Sequence, residues 1–186
     1  MIFALLADAL TIIRFSIALV IVYLGVVEGA TAFPHVVMLV VLAWVTDGLD
    51  GPLARRAKGR TRLGRFDFLI DVALTWASFA YLTLAGFIPW PLALLYTLIT
   101  MVVVAYFQRK SVMIVFMRPI DLTSSLIALR YAPEITLLFL AWLVGLGLIR
   151  WRRTKARIRA WVYDLYLIIR YGQSAPHKAE QRKRTP

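Results

Sequence analysis

The fold of this chain is decided by residues 45–74, VTDGLDGPLARRAKGRTRLGRFDFLIDVAL, where four aspartates and six Lys or Arg residues interrupt an otherwise apolar sequence. Of the 186 residues, 61% are hydrophobic, and the mean hydropathy is +0.74. A soluble domain of this composition would have too little polar surface to cover its core. The sequence therefore predicts an all-α integral membrane protein.

The overall charge of the chain indicates its partners. Twenty-two Lys and Arg residues against ten Asp and Glu residues give a net charge of +12. For a membrane protein this excess favours contact with anionic lipid headgroups or anionic substrates, and no nucleic-acid partner is expected. The chain has no cysteine, so disulfides, thiolate catalysis and cysteine metal sites are excluded.

Six apolar runs have the length that a helix needs to cross a bilayer, which is about 20 residues. Polar residues or Pro and Gly separate them. The runs occupy residues 8–28, 35–55, 64–86, 90–108, 111–131 and 134–150. We therefore predict a catalytic domain of six transmembrane helices over residues 1–150.

Basic residues are concentrated in alternate loops. They follow the second, fourth and sixth apolar runs, whereas the opposite loops carry almost none. The positive-inside rule places the basic loops, both termini and the charged stretch in the cytoplasm. We expect a multi-pass protein of the cell membrane with its active site facing the cytoplasm.

Residues 151–172 have the pattern of an amphipathic helix. The apolar positions at helical spacing are Ile158, Trp161, Val162, Leu165, Ile168 and Ile169, and the basic positions on another face are Arg152, Lys155 and Arg159. This pattern is typical of a helix in the membrane interface, which often serves only as an anchor on anionic lipid. We expect the basic tail, residues 173–186, to be disordered.

The four aspartates of the opening stretch form two pairs. Asp47 and Asp50 are three residues apart and Asp67 and Asp71 are four apart, so each pair lies on one helix face. A carboxylate in mid-membrane costs about 2.5 kcal/mol or more, and acids placed there are functional by default. Hydrogen bonding between helices alone is therefore the less favoured explanation.

Four facing carboxylates would repel one another without a cation. Oxygen ligands with no His or Cys nearby favour a hard ion such as Mg²⁺, Mn²⁺ or Ca²⁺. Four carboxylates have the capacity for two ions, as in phosphoryl transfer. The neighbouring small residues Gly48, Gly51 and Ala54 leave room for a ligand, although helix packing explains the glycines equally well.

Read in order, Asp47-Gly-Leu-Asp50-Gly51-Pro-Leu-Ala54-Arg55 followed by Asp67-x-x-x-Asp71 resembles the signature of the CDP-alcohol phosphotransferases, also called CDP-alcohol phosphatidyltransferases. That signature is D-x-x-D-G-x-x-A-R…G-x-x-x-D-x-x-x-D, and Ala9 to Arg14 also looks like the start of such proteins. Six spans is the fold of that family.

The resemblance implies transfer of a substituted phosphate group from a CDP-alcohol to a hydroxyl acceptor, with release of CMP, in phospholipid biosynthesis. The implied donor is a lipid, commonly CDP-diacylglycerol. Glycerol 3-phosphate, inositol and inositol phosphate are candidate acceptors. Family members are often homodimers, so a homodimer is a further expectation, although no sequence feature indicates an interface.

Carried over to this chain, the resemblance assigns the metal ions, two Mg²⁺ or Mn²⁺, to Asp47, Asp50, Asp67 and Asp71. Asp71 is also the implied catalytic base, which takes the proton of the acceptor. The residues implied in nucleotide binding are Asp50, Gly51, Ala54, Arg55 and Gly64. The family glycine stands four residues before the third aspartate, where this chain has Leu63, so Gly64 is shifted by one position.

Three further basic residues are candidates for binding the acceptor. Arg118 lies eight residues after Lys110, about 12 Å along a continuous helix, near the expected depth of Asp47. Its alternative partner is Asp121, three residues on. Arg109 and Lys110 are the other two candidates, with an interfacial role as their alternative.

Two other functions use intramembrane acids. A cation carrier would show broken helices in two related halves, which this sequence lacks. An aspartate-rich prenyltransferase also binds a diphosphate through metals, but that family is longer and separates its acidic motifs further. Binding of a CDP-alcohol would distinguish the three.

Overall fold

The computed structural model describes residues 2–56, 63, 66–149 and 151–171, apart from the side chains of residues 2–4, 49–56, 149, 152, 153 and 157. These residues form helices and no strand. The α-helices are α1 (Ile2–Val27), α2 (Phe33–Arg56), α3 (Asp67–Leu84), α4 (Trp90–Phe107), α5 (Lys110–Tyr131), α6 (Pro133–Ile149) and α7 (Trp151–Tyr171). A short 3-10 turn, Gly29–Ala32, joins α1 to α2.

Helices α1 to α5 are long and apolar enough to cross a membrane, and α6 carries a shorter apolar segment, Pro133–Leu148. The prediction of an all-α membrane fold is therefore confirmed, with five helices of spanning length and one shorter apolar helix in the described chain. The helix bounds follow the predicted runs within a few residues, except that α1 begins at Ile2 instead of residue 8. Helix α5 runs without interruption through Pro119.

Local backbone conformation explains where two of the helices end. Gly86 follows α3 with φ +80°, a value that glycine adopts without strain. Gln108 caps α4 in the left-handed conformation, with φ 50° and ψ 35°. Each of these residues turns the chain so that the next helix can run back beside the previous one.

Helix α1 is the centre of the bundle, because it packs most extensively against both α2 and α3. Gly25 permits the close approach of α1 to α3. A Cβ atom at Gly25 would lie 3.2 Å from side-chain carbons of Leu84 and Tyr81, tighter than ordinary contact. The three helices that carry the predicted aspartates and the early polar residues therefore form one packed unit.

Aromatic side chains fill the end of this unit where α1 ends, α2 begins and α3 ends, here called the aromatic end. The ring of Phe33 lies 5.0 Å from Phe87 and 6.3 Å from Tyr81, and Phe87 lies 5.1 Å from Tyr131, between centroids. Tyr81 is fully buried, and its hydroxyl donates a hydrogen bond of 2.9 Å to the carbonyl of Gly29. This apolar packing fixes the relative positions of the three helices, and so of the polar residues at their other end.

Candidate functional site

A row of polar residues runs along α1 towards the other end of the unit. Asp8, Thr11 and Arg14 are spaced three residues apart, which places them on one side of the helix. Thr11 and Arg14 are buried, and the Arg14 side chain has no solvent-exposed surface. A buried guanidinium requires charged partners.

Among the described side chains, three of the predicted aspartates contact Arg14. Its Nη1 atom lies 2.7 Å from Oδ1 of Asp47 and 2.8 Å from Oδ1 of Asp71. Its Nη2 atom lies 3.4 Å from Oδ1 of Asp67. We call these four residues the Arg14 cluster, and it joins α1, α2 and α3 through charge-assisted hydrogen bonds.

Two further contacts hold the start of α3 against α1. The hydroxyl of Thr11 lies 3.0 Å from Oδ1 of Asp67 and 3.1 Å from the carbonyl of Ala7. The backbone N–H of Leu63, before α3, donates a hydrogen bond of 3.0 Å to the carboxylate of Asp8. The segment that leads to Asp67 is therefore tied to α1 at two points.

The carboxylates of the cluster are accessible although the arginine is not. The exposed fractions of the side chains are 49% for Asp47, 37% for Asp67 and 41% for Asp71, against 0% for Arg14. The guanidinium thus contacts the carboxylates from the protein interior, and each carboxylate retains surface that a ligand can reach.

Among the described side chains of the cluster, three carboxylates face one guanidinium. The excess negative charge and the oxygen-only donors fit a hard divalent cation. Among the residues whose side chains are described, no group of three or more His, Cys, Asp or Glu is arranged to hold a metal. The side chain of Asp50 does not belong to that set. The chemistry of the donors fits a metal, whereas the three described carboxylates each direct an oxygen to Arg14.

The side chains of the remaining nucleotide-binding candidates lie outside the described part of the chain. The backbone of α2 includes Asp50, Gly51, Ala54 and Arg55, but their side chains lie outside the described part, as does all of Gly64. Gly48, by contrast, is described. A Cβ atom there would lie 3.7 Å from the Trp142 ring of α6, an ordinary contact distance, so this glycine stands at a contact between helices.

The three candidate acceptor-binding residues occupy different places. Arg118 pairs with Asp121 through a hydrogen bond of 3.0 Å, and 59% of its side chain is exposed. Arg109 lies 3.8 Å from the carboxylate of Asp164 in α7. The Lys110 ammonium lies 5.2 Å from the centre of the Phe68 ring, next to Asp67 in α3.

Between α2, α3, α5 and α6 lies a cavity of about 450 Å³. Its walls are mostly apolar and include Phe33 and Tyr81 of the aromatic end. Its other polar lining residues include Thr75, Ser78, Arg118, Asp121, Ser124, Ser125 and Thr136. Thr75 follows Asp71 by one helical turn, so the cavity begins beside the Arg14 cluster. The cavity therefore connects Arg118 with the region of the aspartates. Arg109 and Lys110 do not line the cavity and lie at the start of α5.

Sequence reasoning did not identify Arg14 or Thr11 as site residues. In the sequence, Arg14 stands inside the first apolar run and ends the family-like segment Ala9 to Arg14. A signal was present, because a single arginine in the middle of an apolar run must find an acidic partner. The described acids at matching depth are the aspartates of α2 and α3. The hydroxyl of Thr11 carried no comparable signal, because Thr side chains in membrane helices commonly bond to their own backbone.

A comparison with protein-family models gives one result that bears on this site. The model described as CDP-alcohol phosphatidyltransferase matches residues 4–162, which include nearly all of α1, the whole of α2 to α6, the first part of α7 and the whole Arg14 cluster. No curated protein and no solved structure matches the chain significantly.

Proposed function

Because the chain belongs to the CDP-alcohol phosphatidyltransferase family, we propose that it transfers a phosphatidyl group from CDP-diacylglycerol to a hydroxyl acceptor and releases CMP. The family suggests transfer from a CDP-alcohol in lipid synthesis and is generally dependent on divalent metal. The identities of the donor lipid, the acceptor and the metal belong to our proposal. The chain itself is a membrane protein with several long apolar helices.

One observation carries the proposal. Asp47, Asp67 and Asp71, from two helices, converge on the buried guanidinium of Arg14 and still expose more than a third of each side chain. A structural ion pair needs only one carboxylate for one guanidinium, whereas three described carboxylates contact Arg14. A cluster with surplus carboxylates and accessible surface is suited to binding a cationic or metal-bearing ligand.

The carboxylates of Asp47, Asp50, Asp67 and Asp71 would hold the divalent ions, Mg²⁺ or Mn²⁺. Bound there, the ions supply positive charge for the diphosphate of the donor and for the charge that develops during transfer. Gly51, Ala54, Arg55 and Gly64 remain our candidates for contacts with the nucleotide. This assignment rests on their match to the family motif.

The transfer itself needs a proton acceptor beside the attacking hydroxyl. We assign this role to Asp71, whose carboxylate accepts the hydroxyl proton as the acceptor oxygen bonds to the phosphorus that carries diacylglycerol. The bond from that phosphorus to the oxygen bridging to CMP then breaks, and CMP leaves with the electron pair. Asp71 returns to its ionised form by passing the proton to water.

Arg14 acts in this scheme as a positioning residue. Its Nη1 atom contacts Asp47 and Asp71 together, so it fixes the base relative to a proposed metal ligand on the neighbouring helix. It also offsets part of the repulsion among the carboxylates. Its burial keeps the guanidinium behind the carboxylates, away from their accessible side.

The cavity beyond Thr75 supports Arg118 as our candidate for the acceptor site. Its exposed guanidinium lines the cavity and has Asp121 as its described partner.

If the acceptor carries a phosphate, Arg118→Gln should raise the KM for that acceptor several-fold and leave the KM for CDP-diacylglycerol unchanged. Arg130→Gln, an exposed arginine at the far end of α5, is the matched control. Equal KM values for Arg118→Gln and wild type would remove Arg118 from the acceptor site.

The proposal is tested by CMP release from purified protein in nanodiscs, supplied with CDP-diacylglycerol and Mg²⁺ or Mn²⁺. Separate reactions contain glycerol 3-phosphate, inositol phosphate, inositol, serine or phosphatidylglycerol. We expect CMP release that depends on one acceptor, stops with EDTA and returns with excess metal. Absence of CMP with every acceptor, from protein that also fails to bind CDP-diacylglycerol, would contradict the proposal.

A further inference from the structure

Helix α7 carries a surface that the transfer reaction does not use. Its apolar residues Trp151, Ile158, Val162 and Ile169 follow one another at intervals of 7, 4 and 7 residues, which aligns them along one side of the helix. Their side chains are 57%, 51%, 50% and 84% exposed. This row therefore points away from the described bundle.

A basic row lies beside the apolar row. Lys155 and Arg159 are four residues apart, and Arg170 follows Arg159 by 11, so the three align on one side of α7. All three are exposed. Lys155 is one turn from Trp151, and the two rows are therefore adjacent. The only acidic residue of α7, Asp164, is buried and absent from this surface.

Asp164 attaches the opposite side of α7 to the bundle. Its carboxylate accepts a hydrogen bond from the hydroxyl of Ser111 and lies 3.8 Å from the Arg109 guanidinium. Nε1 of Trp161 donates a hydrogen bond of 3.3 Å to the Ser111 carbonyl. Leu167 and Ile168 are buried beside it. The orientation of α7 is thus fixed, with the apolar and basic rows outward.

The attachment also places α7 at the end of the bundle that carries the Arg14 cluster. Ser111 is at the start of α5, where the preceding residue, Lys110, lies over the Phe68 ring of α3. Phe68 is the neighbour of Asp67 in the cluster. Residues of α7 beyond 162, including Asp164, lie outside the family match.

We propose that this outer surface of α7 docks on anionic lipid headgroups, with the apolar row in the acyl boundary and the basic row against the phosphates. The charge of the surface selects this occupant, since each Lys or Arg near an anionic membrane contributes about 1 kcal/mol. A second copy of the chain is disfavoured, because a symmetric contact through α7 would bring the two basic rows together. Helices with these two rows bind in the interface plane.

The absence of cysteine permits a direct test. Ile158→Cys is labelled with an environment-sensitive fluorophore, and Ala156→Cys, exposed but outside the apolar row, is the matched control. The protein is placed in nanodiscs of phosphatidylcholine alone or with an equal part of phosphatidylglycerol. We expect the label at position 158 to shift to shorter wavelength and brighten with the anionic lipid, and the label at 156 to change little.

Variants that remove charge from the basic row test whether that row causes the response of the label to anionic lipid. Each neutralised residue should lower the ratio of docked to undocked helix about fivefold, equivalent to about 1 kcal/mol. Lys155→Gln with Arg159→Gln should therefore abolish most of the lipid response, and Arg130→Gln, the matched single change at the far end of α5, should preserve it. A label at 158 that responds equally in both lipids, or equally with and without Lys155 and Arg159, would overturn the proposal. Energy transfer between labels on two chains at this position would instead assign the surface to a second copy.

Discussion

The two ends of the α1–α3 unit are built on opposite principles. At the aromatic end, Phe33, Tyr81 and Phe87 bury apolar rings, and the hydroxyl of Tyr81 has a backbone partner. At the other end, the Arg14 cluster places surplus carboxylates around one cation and leaves them accessible. In the first arrangement, each buried side-chain N or O atom that the structure describes has a hydrogen-bond partner. The second gathers three described carboxylates around one guanidinium, and we attribute the difference to ligand binding at the charged end.

The comparison predicts that changes at the charged end affect turnover and changes at the aromatic end affect stability. Asp71→Asn should give the largest effect, a loss of CMP release of about 10³-fold, because an amide cannot accept the proton of the acceptor hydroxyl. The measurement is the rate of CMP release at saturating substrates, with thermal unfolding as the check on folding. Glu134→Gln, the same change at an exposed position at the start of α6, should keep the wild-type rate. Normal turnover in Asp71→Asn would remove Asp71 as the base.

The second-largest effect should be on metal affinity, which we expect to change with variants of the charged end and not with variants of the aromatic end. Asp67→Asn removes one proposed ligand and should weaken Mn²⁺ binding at least about tenfold, since even the loss of outer-sphere partners costs this much. Titration of Mn²⁺ followed by electron paramagnetic resonance measures the affinity without any substrate. Phe87→Leu is the control from the aromatic end. Unchanged Mn²⁺ affinity in Asp67→Asn would show that Asp67 is not a ligand.

Arg14 should influence both properties. Arg14→Gln leaves three carboxylates facing one another, and we expect a loss of about 2 kcal/mol in stability, between the values for buried and exposed ion pairs. Thermal unfolding in the absence of added metal measures the loss. Arg14→Lys keeps the positive charge but loses the contacts made by two nitrogens. Compared with Arg14→Gln, it should therefore regain a larger share of the wild-type stability than of the wild-type kcat. Equal recovery of stability and kcat by lysine would reduce Arg14 to a structural role.

The smallest effect belongs to the aromatic end. Phe87→Leu removes the ring contacts to Phe33 and Tyr131 and should cost about 1 kcal/mol of stability. CMP release should stay near the wild-type rate, because Phe87 is not among the residues that line the cavity and reaches it only through its neighbour Phe33. Loss of turnover in a folded Phe87→Leu protein would mean that the two ends are not independent.

Much of this fold could be predicted from the sequence because lipid imposes one strong rule, that apolar runs of about 20 residues become helices. The six runs and the amphipathic pattern predict helix bounds close to those observed, whereas the cytoplasmic side of the basic loops stays a prediction. Helix α6 also lies within one residue of the predicted run 134–150, but its apolar segment, Pro133–Leu148, is shorter than the five spanning helices, so a sixth membrane crossing stays a prediction. The start of α1 was missed, since the apolar residues before Asp8 lie outside the predicted span.

The site could be predicted in part. The spacings of Asp47 to Asp50 and of Asp67 to Asp71 placed each pair on a helix face, and the structure brings Asp47, Asp67 and Asp71 together. The partner of these acids could not be read from spacing, because Arg14 is more than 30 residues from the nearest of them in sequence. Contacts between distant segments depend on how helices pack. The functional roles of Asp50, Gly51, Ala54, Arg55 and Gly64 remain predictions from the motif.

The most direct test of the account asks where the nucleotide binds. Calorimetric titration of CDP in the presence of Mg²⁺ should be made with wild-type protein, Asp47→Asn and Phe87→Leu, all in the same nanodiscs. We predict that wild type and Phe87→Leu bind CDP equally and that Asp47→Asn binds at least about tenfold more weakly, a loss of about 1.4 kcal/mol. Equal affinity in Asp47→Asn and wild type would contradict the central claim that the carboxylates around Arg14 form the binding site.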